Sequence, residues 1–220
     1  MTSAVLALDV GGTKTAAALV AENGRCGPVF SVPTPGADGP EAILAGMASA
    51  ARQALAASDT RVTGVGVGTA GLVDPATGVI RYATDTLRGW AGTDIPARLR
   101  ALLPELSPEL PLAVLNDVEA HALGEAWLGA AAGCTSVLVA AVGTGIGAGV
   151  VLEGRIFRGA RGMAGELAHI PVAAAAHLRC PCGKLGHLEA LGSGAGLARQ
   201  YLHLGGVLPP GAGGAAVVAA

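Results

Sequence analysis

The chain has 220 residues, of which 51% are apolar, 14% charged and 3% aromatic, and its formal net charge is −2. That length and composition suit one large or two small α/β domains with cores of Ala, Val and Leu. The near-neutral charge removes the electrostatic basis for a nucleic-acid partner or an anionic membrane surface. No stretch reaches the roughly 20 apolar residues of a membrane span.

The opening run Ala4–Leu8 is broken by Asp9 and has no basic segment before it, so it does not read as a signal peptide. Val5–Val10 instead reads as a buried strand entering a Gly-Gly turn, with a second strand over Thr15–Val20 and a turn at Glu22-Asn23-Gly24. Pro33 to Pro40 reads as a loop. Ile43, Leu44 and Met47 predict a helix over Glu41–Ala57. A strand follows at Arg61–Val67, another at Leu112–Leu115, and a helix from Asp117 to about Ala131. Ser136–Val142 and Ala148–Leu152 read as a further strand pair around a glycine loop. A mixed sheet is expected, and the pattern restarts near residue 116, which suggests two similar folding units. The tail is Pro/Gly-rich over Gly205–Gly214, and Ala215–Ala220 reads as a helix without a cap, as though the chain stops inside an element.

Four cysteines occur, at Cys26, Cys134, Cys180 and Cys182. The close spacing of the last two, in a chain read as cytoplasmic, points to metal or redox chemistry rather than a disulfide framework.

Three loops carry candidate chemistry. In Asp9-Val10-Gly11-Gly12-Thr13-Lys14, glycines let backbone N–H groups approach a phosphate, while Thr13 and Lys14 add a hydroxyl and a positive charge. Asp9, at the strand end, is placed to hold magnesium through water. Gly-Gly is equally at home in a plain hairpin turn. Gly143-Thr144-Gly145-Ile146-Gly147 is a second such loop, and two of them favour a clamped triphosphate over two bare turns. Gly66-Val67-Gly68-Thr69-Ala70-Gly71 matches a dinucleotide fingerprint, but turn residues follow it where that fingerprint needs a helix, so the match is set aside.

Asn116-Asp117 lies at a strand–helix junction, where Asp117 is either a helix cap or a carboxylate able to accept a hydroxyl proton. The most specific cluster is His169, Cys180, Cys182 and His187. Two thiolates and two imidazoles form a complete tetrahedral set for a structural zinc, and Gly183 and Gly186 permit the turn around it. His177 is a spare ligand candidate.

Taken together, Asp9-Val-Gly-Gly-Thr-Lys, Gly68-Thr-Ala-Gly-Leu-Val-Asp74, Leu115-Asn-Asp117, Gly143-Thr-Gly-Ile-Gly, Gly165-Glu-Leu-Ala-His169 and Cys180-x-Cys-Gly-x-x-Gly-x-x-Glu189 resemble the ROK family, from about residue 4 to residue 200. That family includes glucokinases, N-acetylhexosamine kinases and sugar-responsive repressors. The resemblance implies an actin-like ATPase (ribonuclease H-like) fold with two lobes. They would be residues 1–116 and an incomplete 117–220. It also implies ATP-dependent phosphorylation of a hexose or N-acetylhexosamine, with Asp117 as general base. Asn116, Glu166, His169 and Glu189 would contact sugar hydroxyls, with His169 also on the zinc. Gly11, Gly12, Thr13, Lys14, Thr144 and Gly145 would hold ATP phosphates bridged by magnesium.

Three departures qualify the resemblance. His187 stands where the family usually has Cys. Thr86, ahead of Leu87-Arg88-Gly89-Trp90, stands where members often have a sugar-holding Asn. The family's members are also longer. A homodimer is implied by analogy. The alternatives are a sugar-sensing regulator, for which no helix-turn-helix precedes the first strand, and an inactive sugar-binding fragment.

Overall fold

The structure, a computed structural model, describes residues 3–210 and 213–218. It divides into two compact units, within residues 1–120 and 121–220.

The first unit is built on a five-stranded mixed sheet. Strands β1 (Ser3–Val10), β2 (Lys14–Ala21) and β3 (Phe30–Pro33) form an antiparallel meander. β3 occupies a stretch the sequence pattern did not mark. Helix α1 (Pro40–Ala56) begins with Pro40 in its first turn, where a missing N–H costs nothing. Its buried stripe of Ile43, Leu44, Met47, Ala48, Ala50, Ala51 and Ala54 packs into a core with Leu6, Leu8, Val10, Val65 and Val67. Small alanines let the helix lie close to the sheet.

β4 (Arg61–Thr69) then runs parallel to β1. After Gly71 the chain does not enter a helix. It forms a two-stranded hairpin, β5 (Leu72–Val73) and β6 (Ile80–Tyr82), whose turn is held by Asp74 Oδ1 accepting from the Ala76 and Thr77 amides. Helix α2 (Ile95–Leu102), capped by Asp94 accepting from Ala97 N at 2.9 Å, also went unmarked by the sequence reading. β7 (Leu112–Asn116) runs parallel to β4 and closes the sheet in the order β3-β2-β1-β4-β7. Helix α3 (Asp117–Leu128) follows directly and stops about a turn before its expected end, where Gly129 N donates to Glu125 O.

The second unit carries a three-stranded antiparallel sheet, β10-β9-β8, made of β8 (Ser136–Val142), β9 (Ile146–Leu152) and β10 (Arg155–Ile156). β9 starts two residues earlier than expected, so Ile146 and Gly147 belong to the strand. The meander repeats β3-β2-β1, with a glycine turn at the same place in each. Short helices α4 (Leu188–Gly192), α5 (Gly194–His203) and α6 (Gly214–Val218) complete the unit. Of the tail helix expected at Ala215–Ala220, residues 219 and 220 lie outside the described residues. Among those described, no helix is long and apolar enough to cross a membrane.

Candidate active site and metal centre

Register places the chemistry of the first unit. Asp9 on β1 pairs with Gly68 on β4, and Gly68 pairs with Leu115 on β7. The next row is Val10, Thr69 and Asn116. Three parallel strands therefore deliver the Gly11-Gly12 turn, the loop after Thr69 and the Asn116-Asp117 junction to one edge of the sheet.

The first turn closes through Gly11 N donating to Lys14 O at 3.0 Å, and Thr34 N donates to Thr13 O at 3.0 Å. This leaves Thr13 and Lys14 exposed. At the third strand end, Asn116 does the capping that sequence alone left open for Asp117. Its Oδ1 accepts from the Val118 and Glu119 amides at 2.9 and 3.3 Å, and its Nδ2 donates to Gly71 O at 3.0 Å. Asp117 uses one oxygen to accept from Val118 N at 2.9 Å. The start of α3 packs over the end of β4: a Cβ on Gly68 would stand in ordinary contact with Ala120 Cβ and Asp117 Cα, at 3.5 and 3.7 Å.

Burial pushes the Asp9 carboxyl above its ordinary value, and the Asp117 charge adds to this, with Lys14 partly offsetting both. A carboxyl raised in this way beside the charge of Asp117 fits a divalent cation, which would offset that repulsion.

Thr86 sits in a short 3-10 turn, Asp85–Leu87. It is held there by Leu87 and Trp90, both buried, and by Trp90 Nε1 donating to the buried Thr69 Oγ1 at 3.1 Å. Its methyl lies over Gly12. The Thr86–Trp90 stretch is thus tied to the end of β4 and to the first glycine turn. Sequence reasoning singled out Thr86 but not the Trp90–Thr69 bond that fixes it.

In the second unit, backbone pairing gathers the metal ligands. Val172 N donates to Gly186 O at 2.8 Å and Leu188 N to Ile170 O at 3.0 Å, which sets His169–Val172 beside Gly186–Leu188. A tight hairpin, with Cys180 N donating to Lys184 O and Gly186 N to Leu178 O, presents the two cysteines. The donor atoms of His169, Cys180, Cys182 and His187 all lie within 4.8 Å of one another. Cys180 Sγ is 3.7 Å from His169 Nδ1, and Cys182 Sγ is 3.3 Å from His187 Nδ1. A zinc tetrahedron with Zn–S near 2.3 Å and Zn–N near 2.0 Å has edges of roughly 3.3–3.8 Å. The four residues fit that ion with small adjustments, and His177 is not in the group.

Burial pushes the Cys180 thiol up, with the charges of Cys182 and Glu189 acting in the same direction and a backbone hydrogen bond from Cys182 opposing. Holding it as thiolate would fall to a bound cation.

Glu166 Oε2 lies 3.7 Å from His169 Nε2, so the imidazole faces the sulfurs through one nitrogen and a carboxylate through the other. Gly165, at φ 91°, makes this possible. Its backbone approaches Ala148 O so closely that a Cβ would stand 2.5 Å away, which pins Glu166 and His169 to β9. Glu189, the remaining predicted sugar contact, points to the glycine loop, where its Oε2 accepts from Ile146 N at 3.0 Å. The loop's amide network also involves Ser193, Gly194 and Ala195, which the sequence reading did not single out. Ser193 as an N-cap before α5 was the available signal.

Residues 5–212 match the model of the ROK family. Glucokinase from Halalkalibacterium halodurans is 36% identical over 195 residues, covering 87% of this chain and 57% of its own length. A xylose repressor from Caldicellulosiruptor bescii is 32% identical over 132 residues, covering 60% of this chain and 31% of its own. The crystal structure of a ROK family glucokinase from Streptomyces griseus, in complex with glucose and AMPPNP, superposes with a TM-score of 0.75 at 33% identity, over 89% of this chain and 59% of that one. The chain therefore spans little more than half the length of the glucokinases it matches. Its α/β architecture is the actin-like ATPase type expected from the motifs, and the chain belongs to the ROK family.

Proposed function

We propose that the protein is an ATP-dependent sugar kinase acting on a hydroxyl of a hexose or N-acetylhexosamine. The observation that carries this reading is the strand register that brings Asp9, the Gly11-Gly12 turn and Asp117 to one sheet edge. A phosphate-approaching turn and a carboxylate oxygen at strand ends on the same sheet edge are what phosphoryl transfer to an alcohol requires.

In this reading Asp117 accepts the proton of the sugar hydroxyl as its oxygen bonds to the γ-phosphorus of ATP. The bond from that phosphorus to the β–γ bridging oxygen breaks, and ADP leaves. The Gly11 and Gly12 backbone, Thr13 and Lys14 hold phosphate oxygens in the first unit; Thr144 and Gly145 do so in the second. Magnesium, when bound near Asp9, supplies charge neutralisation to the phosphates. Asn116, fixed by Gly71, keeps a second amide N–H for the sugar, and Thr86 offers a hydroxyl. Glu166, His169 and Glu189 give the second unit a row of sugar-bonding groups. A structural zinc at His169, Cys180, Cys182 and His187 supplies rigidity to the loop that carries them.

The glucokinases among its relatives and their glucose complex support this reading. The xylose repressor among its relatives keeps a sensing role in view.

The test is calorimetric titration with glucose, N-acetylglucosamine and N-acetylmannosamine, together with sugar-dependent ADP release from ATP. Saturable binding of one sugar with matching turnover is expected. Absence of binding to all three would overturn the proposal, and binding without turnover would favour the sensing role.

A further inference from the structure

The second glycine loop is held from one side by a single short segment. Gly194 N donates to Gly143 O at 2.7 Å, Ala195 N donates to Thr144 O at 3.3 Å, and Glu189 Oε2 accepts from Ile146 N at 3.0 Å. Gly143 N donates within the loop to Gly145 O at 2.9 Å. These bonds satisfy every backbone amide they reach. The amides of Thr144 and Gly145 are left without a partner among the described residues.

The segment that does the holding is itself rigid. The buried Ser193 donates through Oγ to Glu189 O at 2.7 Å and accepts from Gly196 N at 3.0 Å, which locks α4 to α5. Glu189 is the one side chain in the clamp, and it lies two residues after the metal-ligand candidate His187. Its carboxylate also packs tightly, since a Cβ on Gly145 would stand 2.9 Å from Oε2.

We infer that Glu189 is the positioning residue of the Gly143–Gly147 loop. By accepting from Ile146 N it fixes the loop so that the Thr144 and Gly145 amides stay free for phosphate oxygens. Given the proposed function, in which Glu189 also meets a sugar hydroxyl, the same carboxylate links sugar occupancy to the phosphate loop. The two carboxylate oxygens permit both duties, one facing Ile146 N and the other a ligand. A carboxylate–amide bond is charge-assisted and stronger than a neutral one, so its loss is large enough to loosen a glycine-rich loop.

The experiment is amide hydrogen exchange on the whole chain, read at residues 143–147 and, as an internal reference, at the paired stretches 137–140 of β8 and 148–151 of β9. Glu189→Ala is expected to speed exchange at Ile146 by roughly tenfold or more while the reference amides keep their rates. Glu189→Gln keeps a carbonyl acceptor and is expected to retain most of the protection. Gly145→Ala, which displaces the carboxylate without removing it, is expected to resemble Glu189→Ala, and it decides the matter if Glu189→Ala loses protection throughout the unit.

Unchanged exchange at Ile146 in the variant that decides, or equal rates in Glu189→Gln and Glu189→Ala, would overturn the inference. Adding glucose should alter Ile146 exchange in the wild type and not in Glu189→Ala. If calorimetry shows that the wild type binds no sugar, the proposed function fails, while the sugar-free exchange rates still decide the role of Glu189.

Discussion

The methyl of Thr86 lies against Gly12, so near that a Cβ on Gly12 would stand 2.5 Å from Thr86 Cγ2. Thr86, proposed to offer a hydroxyl to the sugar, is therefore packed on the turn proposed to hold phosphate. Gly12→Ala should push Thr86 aside and weaken sugar affinity several-fold, by about 1 kcal/mol, with little effect on thermal unfolding. Thr86→Ser removes the offending methyl and keeps the hydroxyl, so adding it should recover most of the loss. Calorimetry on the two single variants and the double variant measures this directly. Additive losses would show that the contact is not what matters.

Asp117 has one oxygen engaged with Val118 N, and among the described residues nothing holds the other. Asp117→Asn keeps the shape and the local hydrogen bond but cannot accept a proton. Sugar-dependent ADP release should fall by at least about 100-fold, within the range for a lost general base, while sugar affinity changes little. Retained turnover would remove Asp117 from the chemistry.

The metal centre makes its own prediction. Elemental analysis of the wild type should give about one zinc per chain, and Cys180→Ser should give close to none. Cys180 is buried, so its replacement cannot be compensated from solvent. His187→Cys keeps a tetrahedral donor set and should retain the metal. A chelator should lower the unfolding temperature of the wild type and leave Cys180→Ser unmoved, because a bound ion contributes folding energy only where its ligands are intact.

Asp9 should show itself in a stability–pH profile. Its carboxyl titrates above the ordinary value in the folded state because of burial and the charge of Asp117. A raised folded value means that the folded protein favours the protonated form. Stability linked to this group is therefore full below the ordinary carboxylate range and is lost as pH rises through the folded value. Without divalent cation, Asp9→Asn should equal or exceed the wild type in unfolding temperature at neutral pH. That advantage should vanish in acid. Added magnesium should raise the wild type and not the variant.

Much of the fold was legible because the signals were local. Ile43, Leu44 and Met47 mark a helical stripe whatever it packs against, and the runs around Leu6 and Val65 are apolar enough to be strands in any context. Strand β3 and helix α2 escaped for opposite reasons. Phe30–Pro33 ends in a proline and is short enough to pass for loop, and only pairing with β2 makes it a strand. Helix α2 is a mere two turns, with Ile95 and Leu99 buried and a proline at its start. Asp94 is a cap residue, but an eight-residue helix with so narrow an apolar stripe gives too short a periodic signal to stand out from loop.

Within the site, residue identity was readable and connectivity was not. Asp9, Asn116, Asp117, His169, Cys180, Cys182 and His187 are chemically distinctive and stand out by motif and spacing, whereas Glu166 and Glu189 come from the family resemblance. Tertiary structure decided what each does with its hydrogen bonds. Asn116, not Asp117, carries most of the helix cap. Glu189 reaches back over forty residues to Ile146 N. His169 divides its two nitrogens between Cys180 and Glu166.

By itself, the sequence determined the elements with strong periodicity, the two glycine turns and a donor set able to bind zinc. These follow from side-chain chemistry and from spacing along the chain, which folding does not alter. The parallel register of β1, β4 and β7, the Thr86–Gly12 contact and the Glu189 clamp were decided only in three dimensions. Each joins residues far apart in the chain, and what selects it is the cooperative burial of the sheet and the satisfaction of backbone amides, which no local pattern encodes.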